Sequence, residues 1–133
     1  MRRDAREVVF KILYSELFAD SNEQLFVDLC AQAKLNEAEV EFAKDLLEKV
    51  RANKPMFDGI IGELADNYQL DRIYSTDKCA MYIGFAEIIF SKDVPYIVAI
   101  DEAVALCKKF STQESVGFVN GIFAEYVKRN KIS

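Results

Sequence analysis

The chain has 133 residues, 51% of them hydrophobic and 29% charged, with a formal net charge of −5. That balance excludes a disordered chain and leaves room for a real core in one domain spanning residues 1–133. Five glycines and two prolines are too few for a turn-rich β-sandwich, and the lack of any histidine removes histidine-based catalysis and the usual zinc ligand sets.

Asp4-Ala-Arg-Glu7 reads as a helix start, with Asp4 as N-cap and Glu7 at the third position. Val9, Phe10, Leu13 and Leu17 follow as an apolar stripe. Arg6 shares that meridian one turn earlier, and Arg2 and Arg3 join the tip if the helix extends backwards. Arginines at a helix N-terminus oppose the macrodipole, so the tip is either a solvated, frayed end or a site for an anion. Leu25, Phe26, Leu29 and Cys30 predict a short second helix after the polar Asp20–Glu23 break. Asn36 with Glu39 starts a third, carried by Val40, Ala43, Leu47 and Val50 to about Ala52.

Pro55 suits the first turn of a fourth helix, with Phe57, Ile60, Ile61 and Leu64 buried and an end near Asn67. After a joint from Tyr68 to Tyr74, Ser75 or Thr76 caps a fifth helix that is almost continuously apolar and therefore central. Gly84 in its middle costs up to ~1 kcal/mol against alanine, which a close helix crossing would offset. Pro95 opens a sixth helix with Ile97, Ile100, Val104 and Cys107 inward. Ser111 and Glu114 mark a capping box for the seventh, whose buried line is Val116, Val119, Phe123 and Val127. Phe118 falls on the flank of that line. The expected fold is an all-α bundle of six or seven helices.

Cys30, Cys79 and Cys107 sit singly in apolar runs without C-x-x-C spacing, as reduced core thiols do. No signal peptide pattern and no apolar run of membrane-spanning length occurs, so the expected location is the cytoplasm. Charge is unevenly placed: net +2 over residues 1–11, +3 over 128–133 and −10 between them. Basic ends on an acidic body can hold an anion locally, because screening confines charge effects to roughly 8 Å. No carboxylate pair, phosphate loop or dinucleotide spacing supports an enzyme. Arginines at one tip, Tyr14 and the flanking Phe118 are residue types that hold single-stranded nucleic acid, although each aromatic also fits half-buried packing.

The run Val94-Pro95-Tyr96-Ile97-Val98-Ala99-Ile100-Asp101-Glu102-Ala103-Val104 and its continuation to Phe110 resembles the signature of the NusB transcription antitermination family. That signature reads approximately V-P-x-x-V-A-I-N-E-A-V-E-L-A-K-x-F. Phe118-Val119-Asn120-Gly121-Ile122 is similar to the family's F-V-N-G segment, and Ala5-Arg6-Glu7 with Leu13-Tyr14 to its opening. The resemblance implies an all-helical protein without catalysis, metal or cofactor. It implies binding of boxA-type ribosomal leader RNA together with ribosomal protein NusE, in an antitermination complex on RNA polymerase. By the same resemblance Arg2, Arg3, Arg6, Tyr14, Glu114 and Phe118 would face RNA, and Asp77, Lys78 and Tyr82 of the fifth predicted helix would face NusE. Asp4 interrupts the family's arginine cluster, Asp101 replaces its asparagine, and Tyr82 and Ala86 stand where arginine and tyrosine are frequent. The family includes monomers and dimers, which leaves a homodimer open. The alternative is a helical interaction or ribosome-assembly module with little RNA affinity of its own.

Overall fold

The computed structural model describes residues 1–20, 22–65 and 72–132. Six helices occupy them: α1 (Arg2–Glu16), α2 (Glu23–Gln32), α3 (Glu37–Leu64), α4 (Ser75–Phe90), α5 (Tyr96–Phe110) and α6 (Gln113–Arg129). The expected end near Asn67 and most of the Tyr68–Tyr74 joint lie outside the described residues. Helix α2 begins after the expected polar break, and α3 at the expected Asn36 start. Asn22 accepts from the Gln24 and Leu25 amides, and Asn36 and Glu39 exchange bonds across a capping box.

Five local expectations are corrected. Helix α5 turns Ala99, Ala103, Leu106 and Cys107 inward and leaves Ile97 exposed, since the small alanines let α5 lie close to its neighbours. Helix α1 begins at Arg2 rather than after Asp4, and Asp4 lies in its first turn, where it accepts from the Met1 amine at 3.3 Å. The third and fourth predicted helices are one, because α3 passes through Pro55. Val50, Phe57 and Ile61 fall on one helical line and are all buried, so a continuous helix keeps a single stripe in the core. The proline withholds a bond only from the Arg51 carbonyl, on an exposed stretch where water can replace it. Helix α4 starts after Tyr74 with no side-chain cap, and the Thr76 hydroxyl bonds to Ser111 instead. Thr112, not Ser111, caps α6 by accepting from the Ser115 amide.

Helix α4 is central, as its composition predicts: Asp77 and every residue from Cys79 to Glu87 are buried. It packs against α1, α3, α5 and α6. The rings of Phe57, Phe85 and Phe123 join α3, α4 and α6, with centroids 6.5 Å apart for Phe57–Phe85 and 4.8 Å for Phe85–Phe123. Each fully buried aromatic of this kind contributes roughly 1.5–3 kcal/mol through removal from water. Cys30, Cys79 and Cys107 are unbridged and buried. Desolvation pushes the Cys79 and Cys107 thiols up to about 12, so both stay protonated at neutral pH.

Gly84 is where the close crossing occurs. A methyl group there would lie 2.8 Å from Cε1 of Phe123, nearer still to its Cζ, and 3.1 Å from Cβ of Ala103. Helix propensity alone favours Gly84→Ala by ~1 kcal/mol. Overpacking against a fully buried ring outweighs that gain, so the substitution is expected to destabilise by about 1–3 kcal/mol in urea titrations. An increase in stability would show that the α4–α6 contact is loose.

Candidate nucleic-acid interface

The arginine tip of α1 divides into two unlike parts. Arg6 is only 4% exposed, and its fork meets the fully buried Glu87 of α4, with Nε–Oε1 at 2.7 Å and Nη2–Oε2 at 2.8 Å. Glu102 of α5 lies 3.8 Å from Nη1, and the guanidinium sits over the Phe42 ring of α3 at 5.1 Å. Arg6 therefore joins four helices, and the expectation that it faces outward with Arg2 and Arg3 is corrected: its charge is spent inside the fold. The helical meridian that aligned Arg6 with the apolar stripe is the reason, since that stripe is the buried side of α1.

Arg2 and Arg3 are exposed, as expected. Arg2 reaches Asp93 at 3.3 Å and rests over Phe42 at 4.5 Å, while Arg3 binds both oxygens of Glu102 at 3.0 and 3.3 Å. These acids offset the unfavourable dipole position of the tip. Exposed pairs of this type are worth about 0–1 kcal/mol, so a phosphate can displace them.

Beyond the tip, an aromatic row crosses from α5 onto α1. Phe110 stacks on Phe10 at 4.6 Å, Phe10 lies near-parallel to Tyr14 at 6.4 Å, and Tyr14 meets Phe18 edge-on at 5.1 Å. Phe10 is inside, whereas Tyr14 is 39% and Phe18 68% exposed. Phe10, Lys11, Tyr14, Thr76 and Phe110 line an open groove of about 400 Å³.

A second depression, of about 200 Å³, opens where the first turns of α4 and α6 meet. Arg72, Tyr74, Asp77, Glu114, Ser115 and Phe118 line it, which brings the predicted Glu114 and Phe118 together. Thr76 borders the first groove and Asp77 the second, so the first turn of α4 stands between them. That turn is held by hydroxyls. Ser111 accepts from Thr76 and donates to Oδ1 of Asp77 at 2.6 Å, and Ser115 donates to Oδ2 at 2.8 Å.

The three α4 residues expected at a protein partner are not alike. Lys78 is half-buried, with surface to offer. Asp77 is buried under the two serines, and Tyr82 is buried with its hydroxyl donating to Asp58 of α3. Burial, then Asp58, holds the Tyr82 phenol above its ordinary range, so it stays a neutral donor. Asp77 and Tyr82 are thus corrected from surface contacts to packing residues, as the near-continuous apolar pattern of this helix demands.

Lys11, Phe18, Arg72 and Phe110 belong to the same surface and were not singled out from the sequence. A helical wheel could have found two of them. Arg3, Glu7, Lys11, Tyr14 and Phe18 recur at four, four, three and four residues, a single outward meridian of α1.

Comparison with known proteins bears on the family and the fold. Residues 3–128 match the model of the NusB family. The transcription antitermination protein NusB of Acetivibrio thermocellus is 35% identical over 96% of this chain and 88% of its own. NusB of T. maritima superposes with a TM-score of 0.87 at 30% identity, covering 96% of this chain and 91% of that one. A crystal structure of antitermination factors NusB and NusE in complex with dsRNA contains a chain with a TM-score of 0.84 and 27% identity, each chain covered to 96%. With a family match over nearly its whole length and a fold shared throughout, this chain belongs to the NusB family.

Proposed function

We propose that this protein is a transcription antitermination factor that binds boxA-type single-stranded ribosomal leader RNA together with ribosomal protein NusE, within an RNA polymerase antitermination complex. The observation that carries the reading is that one helix holds exposed Arg2 and Arg3 at its tip and, about three turns on, exposed Tyr14 in a groove floored by stacked aromatics. Arginine forks suit phosphates, and aromatic faces suit unpaired bases. Glu114 and Phe118 extend the surface across the first turn of α4, with Arg72 as a further cation. Arg6 acts from inside, by fixing the helix whose tip carries Arg2 and Arg3. The solved NusB–NusE complex, in which the RNA is double-stranded, supports the pairing of NusE and RNA on one fold, while the preference for single strands rests on the exposed ring of Tyr14.

Lys78 is the α4 residue suited to contact NusE, while Asp77 and Tyr82 set the position of that helix. The activity is binding, without catalysis, in the cytoplasm; the histidine-free sequence fits that reading, and no described helix is long and apolar enough to cross a membrane. The acids beside Arg2 and Arg3 favour a second reading, an interaction module with weak RNA affinity.

Titration of a labelled boxA-type oligoribonucleotide, with and without NusE and over a range of salt, separates the two. Replacing Arg2 and Arg3 by alanine should weaken binding and reduce the salt slope by about 1.4, at about 0.7 for each phosphate no longer neutralised. A duplex of the same sequence should compete poorly, since its bases are not open to stacking. Affinity and slope unchanged in the double variant would count against the arginine tip and favour the module.

A further inference from the structure

Phe18 is a large aromatic left 68% exposed just past the end of α1. Isolated apolar residues on a surface need no explanation. Phe18 is not isolated, because its ring meets Tyr14 at 5.1 Å and so ends the row that begins at Phe110. Phe10, Tyr14 and Phe18 follow one another at four-residue steps, about 6 Å of helix rise each. The right-handed turn at Leu17 and the bond from the Phe18 amide to the Ser15 carbonyl, at 3.1 Å, continue that spacing beyond the helix. Lys11, also exposed, lies on the same meridian between the arginine tip and Phe18.

We infer that Phe18 forms a distal nucleotide subsite, which extends the single-stranded RNA footprint past Tyr14 by one stacked base, with Lys11 of the adjoining groove as the cation for the phosphate that leads into it. The inference rests on the RNA-binding reading above. An RNA strand is the occupant that the surface fits, for two reasons. Phe18 continues the aromatic row beyond the groove containing Tyr14, and that groove already holds a cation, Lys11, on the same helix, so ring and charge follow one another along the path a base and its phosphate would take. Exposed edge-on packing against Tyr14 leaves the Phe18 ring accessible, as its exposure shows. Loss of the cation and loss of the ring should therefore be separable, one through salt dependence and the other through affinity at every salt concentration.

The test uses the full chain and three boxA-type oligoribonucleotides: a core, the core lengthened by three nucleotides at its 5′ end, and the core lengthened at its 3′ end. Each extension carries 2-aminopurine. The wild-type protein should bind one lengthened RNA about 5- to 150-fold more tightly than the core, with quenching of the 2-aminopurine as it stacks. In Phe18→Ala the two should bind equally and the quenching should vanish, whereas Phe18→Tyr should retain both. Lys11→Gln should take about 0.7 off the salt slope for the favoured RNA. Equal binding of core and lengthened RNAs by the wild type overturns the inference, as does a gain that survives Phe18→Ala. A loss seen in Phe18→Ala only when NusE is present would assign the ring to the protein partner and overturn it as well. Core RNA that fails to bind at all removes the parent reading; core RNA that binds without any gain on lengthening removes the subsite alone.

Discussion

Replacing Glu87 by alanine is expected to cost about 3–5 kcal/mol, because it leaves the buried Arg6 guanidinium without the partner of its fork. Both partners are inside the fold, and each bond of the fork is short and charge-assisted. Glu102 stands 3.8 Å away and already serves Arg3, so it relieves only part of the loss. Against a typical total of about 5–15 kcal/mol, such a loss would leave the chain close to unfolding at room temperature. Urea denaturation of Glu87→Ala should show a large fall in midpoint at similar slope. Arg6→Lys keeps the charge but loses the two-bond fork, and should fall between wild type and Glu87→Ala. The double replacement Arg6→Met with Glu87→Leu removes both charges together and should recover most of the stability. A loss below about 1 kcal/mol in Glu87→Ala would mean that water reaches the pair, and that its four-helix junction does not organise the arginine tip.

Much of this arrangement was legible in the sequence, and the failures have definite causes. Asn36 and Glu39 act as predicted because caps are local: the donor and acceptor lie within three residues. The central place of α4 was legible because a helix apolar on all sides has no face for water. Tyr82 could have been placed from the same fact, since a tyrosine inside such a helix must bury its ring and find a partner for its hydroxyl. Its acceptor, Asp58, lies on another helix, where no local pattern points to it. Arg6 failed for a related reason. Its charge suggested the surface, while its meridian suggested the core, and the carboxylate that decides between them is 81 residues away. Pro55 misled because the local rule for proline weighs one lost bond, whereas the buried line through Val50, Phe57 and Ile61 weighs three side chains. Local rules located the Asn36 start and missed those of α1, α4 and α6 by one to three residues; long-range pairing decided which polar residues turn inward.

The same distinction shapes the expected effect of Tyr14 and Phe118 on RNA binding. Tyr14→Ala and Phe118→Ala should each weaken single-stranded RNA by about 1–3 kcal/mol, the range for loss of one stacked base. The two rings lie on opposite sides of the first turn of α4, in different depressions, so their effects should be close to additive and the double variant should lose roughly 2–6 kcal/mol. Tyr14→Phe keeps the ring face and should bind nearly as wild type. Tyr14→Leu keeps apolar bulk without a π-face and should behave like alanine. Phe118 is half-buried against its neighbours, so its variants need a parallel measurement of stability, with Phe118→Leu as the better-packed comparison. Salt provides the internal control. Stacking carries no counterion release, so Tyr14→Leu should lower affinity by a constant factor at every salt concentration, whereas loss of Arg2 and Arg3 should change the slope itself. If Tyr14→Leu binds as wild type, or if its deficit shrinks as salt rises, then Tyr14 is a packing residue of the groove and the strand is held by charge alone.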